Sequence, residues 1–200
     1  MTTDKIIEPA SFLPGRRRFL TTGSKLTLSA AAITLLAGCE GMRMGMADKM
    51  SSSADSTAND VAILNGAIDA ELEAIAAYQL GAESGLLSKG VLDVAVAFQG
   101  DHKEHANLLA STVTQLGGAP NGPQTSYDFP VDKLKSERDV VEFAAGLEKG
   151  AVDAYVAAIP LFGNKDLAQA AGKILGAEAM HWATLRGALG LNPVPSPFVG

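Results

Sequence analysis

Residues 71–78 read Glu-Leu-Glu-Ala-Ile-Ala-Ala-Tyr, and residues 148–155 read Glu-Lys-Gly-Ala-Val-Asp-Ala-Tyr. A glutamate and a tyrosine recur at an offset of 77, and Ala74-Ile75-x-Ala77-Tyr78 is answered by Ala151-Val152-x-Ala154-Tyr155. Further along, His102-x-x-His105 recurs as Glu178-x-x-His181 at an offset of 76. Two separate motifs that share nearly one offset point to internal duplication.

Working outward from these stretches, the apolar spacing is helical almost throughout. Leu64, Ile68, Glu71, Ile75 and Tyr78 fall at steps of 4, 3, 4 and 3, which is one face of a helix packed in a bundle. Val91, Ala95, Phe98, His102, His105, Leu109 and Leu116 mark a second helix, stopped by the run Gly117 to Pro123. The segment through Ser136, with Pro130 inside, reads as irregular. Val141, Ala145, Glu148, Val152, Tyr155 and Ile159 mark a third helix ending near Pro160 and Gly163. Leu167, Ala171, Ile174, Glu178, His181, Leu185 and Ala188 mark a fourth. Short outer connections and a middle one of about 20 residues predict an all-α four-helix bundle over residues 60–190, built as two antiparallel hairpins joined by a long crossover loop. Residues 191–200, with Asn192-Pro193-Val194-Pro195, read as an extended tail.

Glu71, His102, His105, Glu148, Glu178 and His181 fall where this rhythm places the bundle interior, and they include all three histidines of the chain. An unpaired buried carboxylate costs several kcal/mol, so such groups are protonated, paired or metal-bound. Glu73, Glu83, Lys103 and Lys149, by contrast, lie off the apolar stripe, as solvated charges do. Residues at i and i+3 share a helix face, so His102 with His105, and Glu178 with His181, can reach one cavity. Carboxylates neutralise and bridge cations, and imidazoles cap them with nitrogen, a donor mixture that suits Fe or Mn better than Mg.

This combination resembles the ferritin-like superfamily, close to the rubrerythrin and bacterioferritin type of dinuclear carboxylate protein. That pattern has a Glu on helices one and three and Glu-x-x-His on helices two and four. Glu71, His105, Glu148, Glu178 and His181 match it, and the resemblance covers roughly residues 60 to 190. It implies that these residues hold two Fe or Mn ions and that Tyr78 and Tyr155 orient carboxylates across the bundle as hydrogen-bond donors. The implied chemistry is oxidation of Fe(II) by O2 or peroxide, or removal of peroxide or superoxide. His102 departs from the pattern, standing where the family has a bridging Glu. As a terminal ligand it cannot bridge in the same way, so one ion is expected to be weakly held or the pair electronically different. Asp101 and Glu104 point off the buried face at about 100° per residue, and Asp101 would substitute only through a local rotation of the helix. A single ion, or a metal-free bundle whose buried polar groups bond one another, stays open. So do a non-catalytic metal-binding or metal-free stress-related helical bundle, and a purely structural bundle that recognises a partner. Without rubredoxin-like Cys pairs, an oxidase or catalase-like cycle is expected in place of rubrerythrin's electron relay.

The whole chain has 200 residues, 16 Lys and Arg against 22 Asp and Glu, a net charge of -6 and one cysteine. A single cysteine excludes an internal disulfide and a thiolate cluster, and the acid excess excludes nucleic acid as a partner. Arg16-Arg17-Arg18-Phe19-Leu20, followed by an uncharged run of about 12 residues from Leu26 to Ala37, resembles a twin-arginine export signal, although Gly15 stands where Ser or Thr is usual. That run is too short to span a ~30 Å hydrocarbon core. Leu36-Ala37-Gly38-Cys39 resembles a bacterial lipobox, which makes residues 1–38 a signal peptide and Cys39 the lipidated N-terminus. Twin-arginine export carries folded proteins, so a cofactor could be loaded in the cytoplasm. The mature chain would carry 11 basic and 20 acidic residues, a net charge of -9.

Residues 39–59, with Met42, Met44 and Met46 and a Ser-rich stretch, read as a flexible tether. The Met-x-Met-x-Met run is a candidate Cu(I) ligand, although a tether that happens to be Met-rich explains it as well. The expected location is the bacterial cell envelope on its periplasmic or extracytoplasmic side. The expected partners are the membrane through the lipid on Cys39, metal ions with O2 or H2O2, and a second copy of the chain in a homodimer. A closed storage shell does not suit a chain tethered to a membrane.

Overall fold

The computed structural model describes residues 43–200, with side chains from Ala54 onward. The twin-arginine motif, the apolar run and Cys39 lie outside the described residues. Four α-helices follow one another: α1 Arg43–Glu83, α2 Lys89–Gln115, α3 Glu137–Ala158 and α4 Lys165–Ala188. Single 3-10 turns stand at Val131–Lys133 and Ile159–Leu161, and no strand occurs among the described residues. α1 packs along α2 and α3 along α4, with α1 and α3 meeting across the two hairpins. This is the four-helix bundle with a long crossover that the sequence predicts.

α1 starts at Arg43, inside the segment expected to be a tether. From Met46 to Asn65 there is neither glycine nor proline to break a helix, and Met, Ala and Lys favour one. Among the described side chains of α1, apolar packing into the interior begins with Val61 and Leu64. Asp60, 3% exposed, ties the onset of that packing to the far hairpin: its carboxylate accepts the backbone N–H groups of Gly163 at 2.7 Å and Asn164 at 3.0 Å.

Local chemistry sets the other helix ends. The Ser136 hydroxyl accepts the N–H of Asp139 to cap α3, and the Asn164 side chain accepts that of Asp166 to cap α4. Gly117 takes φ +82° just past α2, a conformation that favours glycine. At Gly118 a Cβ would come within 2.7 Å of Val61, so the crossover can leave this end only by lying directly on α1. Asn121 then fastens it, donating from its backbone to Asn65 Oδ1 at 2.9 Å and from its side chain to Asp69.

The interior is layered. One apolar cluster joins Leu64 and Ile68 of α1, Leu109 and Val113 of α2 and Leu167, Ala171 and Ile174 of α4. A second joins Val141 and Ala145 of α3 to Leu185 of α4, with Phe98 and Trp182 packed against them. On α2 and α4 the ionisable residues fall in sequence between the two clusters, so a polar layer is held at mid-bundle. No helix among the described residues is long and apolar enough to cross a membrane.

Candidate metal centre

All six ionisable residues placed inside by the apolar rhythm come together in this layer. Glu71, His102, Glu148, Glu178 and His181 are buried, with Glu178 and Glu148 at 0% and 1% exposure. The His105 side chain is 14% exposed. Each helix contributes at least one: Glu71 from α1, His102 and His105 from α2, Glu148 from α3, and Glu178 and His181 from α4.

The tyrosines cross between hairpins. Tyr78 of α1 donates its hydroxyl hydrogen bond to Glu148 Oε1 on α3, and Tyr155 of α3 donates to Glu71 Oε1 on α1 at 2.7 Å. Burial and the neighbouring carboxylates hold both phenols far above their ordinary pKa, so both remain donors. Each bond fixes one carboxylate oxygen; Glu71 Oε2 and Glu148 Oε2 remain free of the tyrosines, and Glu148 Oε1 is also hydrogen-bonded to His102 Nε2 at 3.2 Å.

Glu178 lies between two histidines. Its Oε1 is 2.9 Å from His105 Nδ1, and its Oε2 is 3.5 Å from His181 Nδ1. Glu148 Oε2 also lies 3.5 Å from His181 Nδ1. None of these contacts has hydrogen-bond geometry: His105 Nδ1, His181 Nδ1, Glu148 Oε2 and both oxygens of Glu178 are buried without a hydrogen-bond partner. Leaving such atoms unpaired costs about 1–3 kcal/mol each, more when charged. Five of them converging on one layer is the arrangement a cation resolves. The donor atoms fall into two overlapping groups, Glu71, His102, His105 and Glu178, and His102, Glu148, Glu178 and His181, each with ligand atoms within 4.8 Å of one another.

The metal-free electrostatics oppose burial with pairing. Burial alone would lower the histidine pKa values, but the carboxylates outweigh it. Glu148 and Glu71 raise His102 to about 10, Glu178 and Glu71 raise His105 to about 9, and Glu148 and Glu178 raise His181 to about 10. Burial pushes Glu71 and Glu148 upward, yet the histidines beside them hold both below the usual carboxylate range. Without metal, the carboxylates therefore favour the charged form of the three histidines, and the histidines favour the charged form of Glu71 and Glu148.

Two residues outside the expected set complete it. Asp101 Oδ2 sits 3.1 Å from His181 Nε2, on the outer side of that ring, with 58% of its side chain exposed, and it is in neither group of candidate ligands. By accepting from Nε2, it leaves Nδ1 facing the cluster. Phe98 stacks on the same imidazole with ring centroids 4.0 Å apart. Helical periodicity put Asp101 on the solvent side. The signal available was chemical: an inward histidine needs an acceptor for its outer nitrogen.

A cavity of about 430 Å³ opens between α1 and α3 and reaches Glu71, His102 and Glu148. Its walls carry small residues, among them Gly66 and Ala70 of α1 and Gly146 and Gly150 of α3, and so no side chain closes it.

A buried layer of histidines and carboxylates at the middle of two hairpins joined by a crossover defines the ferritin-like class. The chain belongs to the ferritin-like domain family, whose model matches residues 59–191. No curated protein matches its sequence. Among solved structures it is similar to the bacterioferritin of Desulfovibrio desulfuricans, which has a diiron site (TM-score 0.63, 20% identity, covering 68% of this chain and 81% of that one). It is also similar to a ferritin-like diiron-carboxylate protein of Bacillus anthracis (0.59, 19%, 67% and 97%). A conserved hypothetical protein of Mycobacterium tuberculosis is a third neighbour (0.61, 20%, 66% and 98%). At these identities the likeness is one of fold.

Proposed function

We propose that this protein is an envelope-anchored metal-binding bundle that oxidises Fe(II), or removes peroxide or superoxide, at a dinuclear iron or manganese centre. The observation that carries the reading is the set of five buried nitrogen and oxygen atoms at mid-bundle that make no hydrogen bond. Glu71 and His105 would hold one ion, Glu148 and His181 the other, and Glu178 would offer one oxygen to each. When bound, such ions supply the electrons that reduce dioxygen species.

The chain's own residues prepare the site. Tyr155 and Tyr78 hold Glu71 and Glu148 by one oxygen each, and Asp101 with Phe98 orients His181. The protons that keep the three imidazoles charged must leave before these nitrogens can act as ligands. Asp101, paired to His181 and open to water, is placed to pass such a proton outward. The α1–α3 cavity gives a small oxidant a path to the carboxylates.

Export through the twin-arginine signal and lipidation at Cys39 would place this chemistry at the cell envelope. The competing reading is a bundle that holds metal without turnover or holds none, favoured by the charge balance of three histidines and three glutamates in the metal-free layer. Elemental analysis of protein purified from native membranes, combined with O2 and H2O2 consumption, separates them. Two Fe or Mn per chain with consumption supports the proposal. Stoichiometric metal without consumption makes the protein a sequestering bundle, and no metal even after anaerobic Fe(II) addition removes both.

A further inference from the structure

His102 departs from the family pattern at the one position where a carboxylate would join the two ions, and its placement indicates what it does instead. A glutamate bridges because its two oxygens face two ions. An imidazole also has two donor atoms, on opposite sides of its ring. In this structure Nδ1 is hydrogen-bonded to Glu71 Oε2 at 2.8 Å and lies 3.8 Å from Glu178 Oε1, while Nε2 is hydrogen-bonded to Glu148 Oε1 at 3.2 Å, so that each nitrogen faces a carboxylate an ion would share in place of the proton. The two nitrogens thus face the two halves of the site.

The distances suit shared ions. Around Nδ1, the circuit His102 Nδ1, Glu71 Oε2, His105 Nδ1, Glu178 Oε1 closes with edges of 2.8, 3.5, 2.9 and 3.8 Å. Donors about 2.0–2.1 Å from a tetrahedral ion lie roughly 3.3 Å from one another, so these edges scatter about the required value. On the other side Glu148 spans from His102 Nε2 at 3.2 Å to His181 Nδ1 at 3.5 Å, where Glu178 Oε2 also lies 3.5 Å away. The ring is also held in place: it is 1% exposed, and Tyr78 and His181 pack against it with centroids 5.4 Å away.

We propose that His102 bridges the two metal positions through its two ring nitrogens, so that with Glu178 as the second bridge each ion is held by two imidazoles and two carboxylates. The inference rests on the metal-binding part of the reading above. Coordination at both nitrogens displaces the ring's N–H protons to solvent and transfers no electron. The resulting donor set is richer in nitrogen than four carboxylates and two histidines would be, which favours Cu, Ni and Zn over Mn.

The test uses the full chain, stripped by chelation and titrated with Cu(II), with metal content and EPR spin count measured together. The expected result is two Cu(II) per chain with most of the two-spin intensity lost, because an imidazole bridge couples the unpaired electrons. His102→Gln, checked for unchanged helix content by circular dichroism, should return any bound Cu(II) to full, uncoupled intensity. Coupling that persists in His102→Gln assigns it to Glu178 and overturns the bridge. Two uncoupled ions, or a single ion, in the wild-type chain also overturn it while leaving a metal centre. If neither the wild-type chain nor His102→Glu retains metal, the metal-binding reading itself fails. If His102→Gln does not fold, His102→Asn is read in its place, and two uncoupled ions in the wild-type spectrum overturn the bridge without either variant.

Discussion

Glu178 is the residue on which the proposed centre turns, because both its oxygens are buried without a hydrogen bond and each faces a different histidine. Glu178→Ala should abolish metal retention in elemental analysis, whereas Glu73→Ala, exposed at the rim of the cavity, should retain it; equal loss in both would show that the buried face is wrongly assigned. Asp101→Asn should weaken binding by about 10–100-fold, the usual effect of losing a partner that orients a ligand, with Asp101→Glu recovering part of it. The raised histidine pKa values also fix the sign of a pH effect. They stabilise the metal-free fold fully below the unfolded value near 6.5, and that contribution is lost as pH rises through about 9 to 10. Metal-free protein should therefore lose roughly 5 °C in Tm between pH 7 and 10, the shift that ~1–2 kcal/mol makes in a domain of this size. Metal affinity should rise over the same interval as protons cease to compete. A metal-free Tm that climbs with pH would mean the imidazoles are not held charged.

At the scale of elements, what the sequence shows depends on whether a turn packs. The six ionisable residues were legible because each sits on an apolar stripe that repeats at 3 and 4 residues, and the repeat at offsets of 77 and 76 paired the helices. The early turns of α1 were not, since Met, Ala and Ser in the segment after Arg43 permit a helix without marking a face. Asp101 escaped for a related reason: its contact with His181 depends on how α2 and α4 lie together, which no single-helix period encodes. The cavity between α1 and α3 follows from small residues on both walls. Ala67→Leu with Ala151→Leu, both half-buried in its lining, should bury more apolar surface and leave Tm unchanged or higher. The same pair should slow O2 or H2O2 consumption about tenfold, a barrier of ~1.4 kcal/mol, at constant metal content. Lost activity accompanied by lost metal would place the effect on the site and not on the path.

For the whole molecule, charge and length bear on the proposed attachment to the envelope. The chain downstream of Gly38 carries 11 basic and 20 acidic residues, so anionic lipid repels it, and no helix among the described residues can span a bilayer. The proposed attachment is the lipid on Cys39. One acyl chain alone gives only marginal binding, whereas several together hold firmly. The wild-type chain should therefore sediment with membranes, resist extraction by high salt and be released by detergent. Cys39→Ser should leave the bundle folded and metal-competent in the soluble fraction, because the cluster and both apolar layers lie wholly within residues 60–190. A Cys39→Ser protein that stayed with the membrane until salt was raised would point to attachment through charge, which a body of net charge -9 makes the less favourable arrangement.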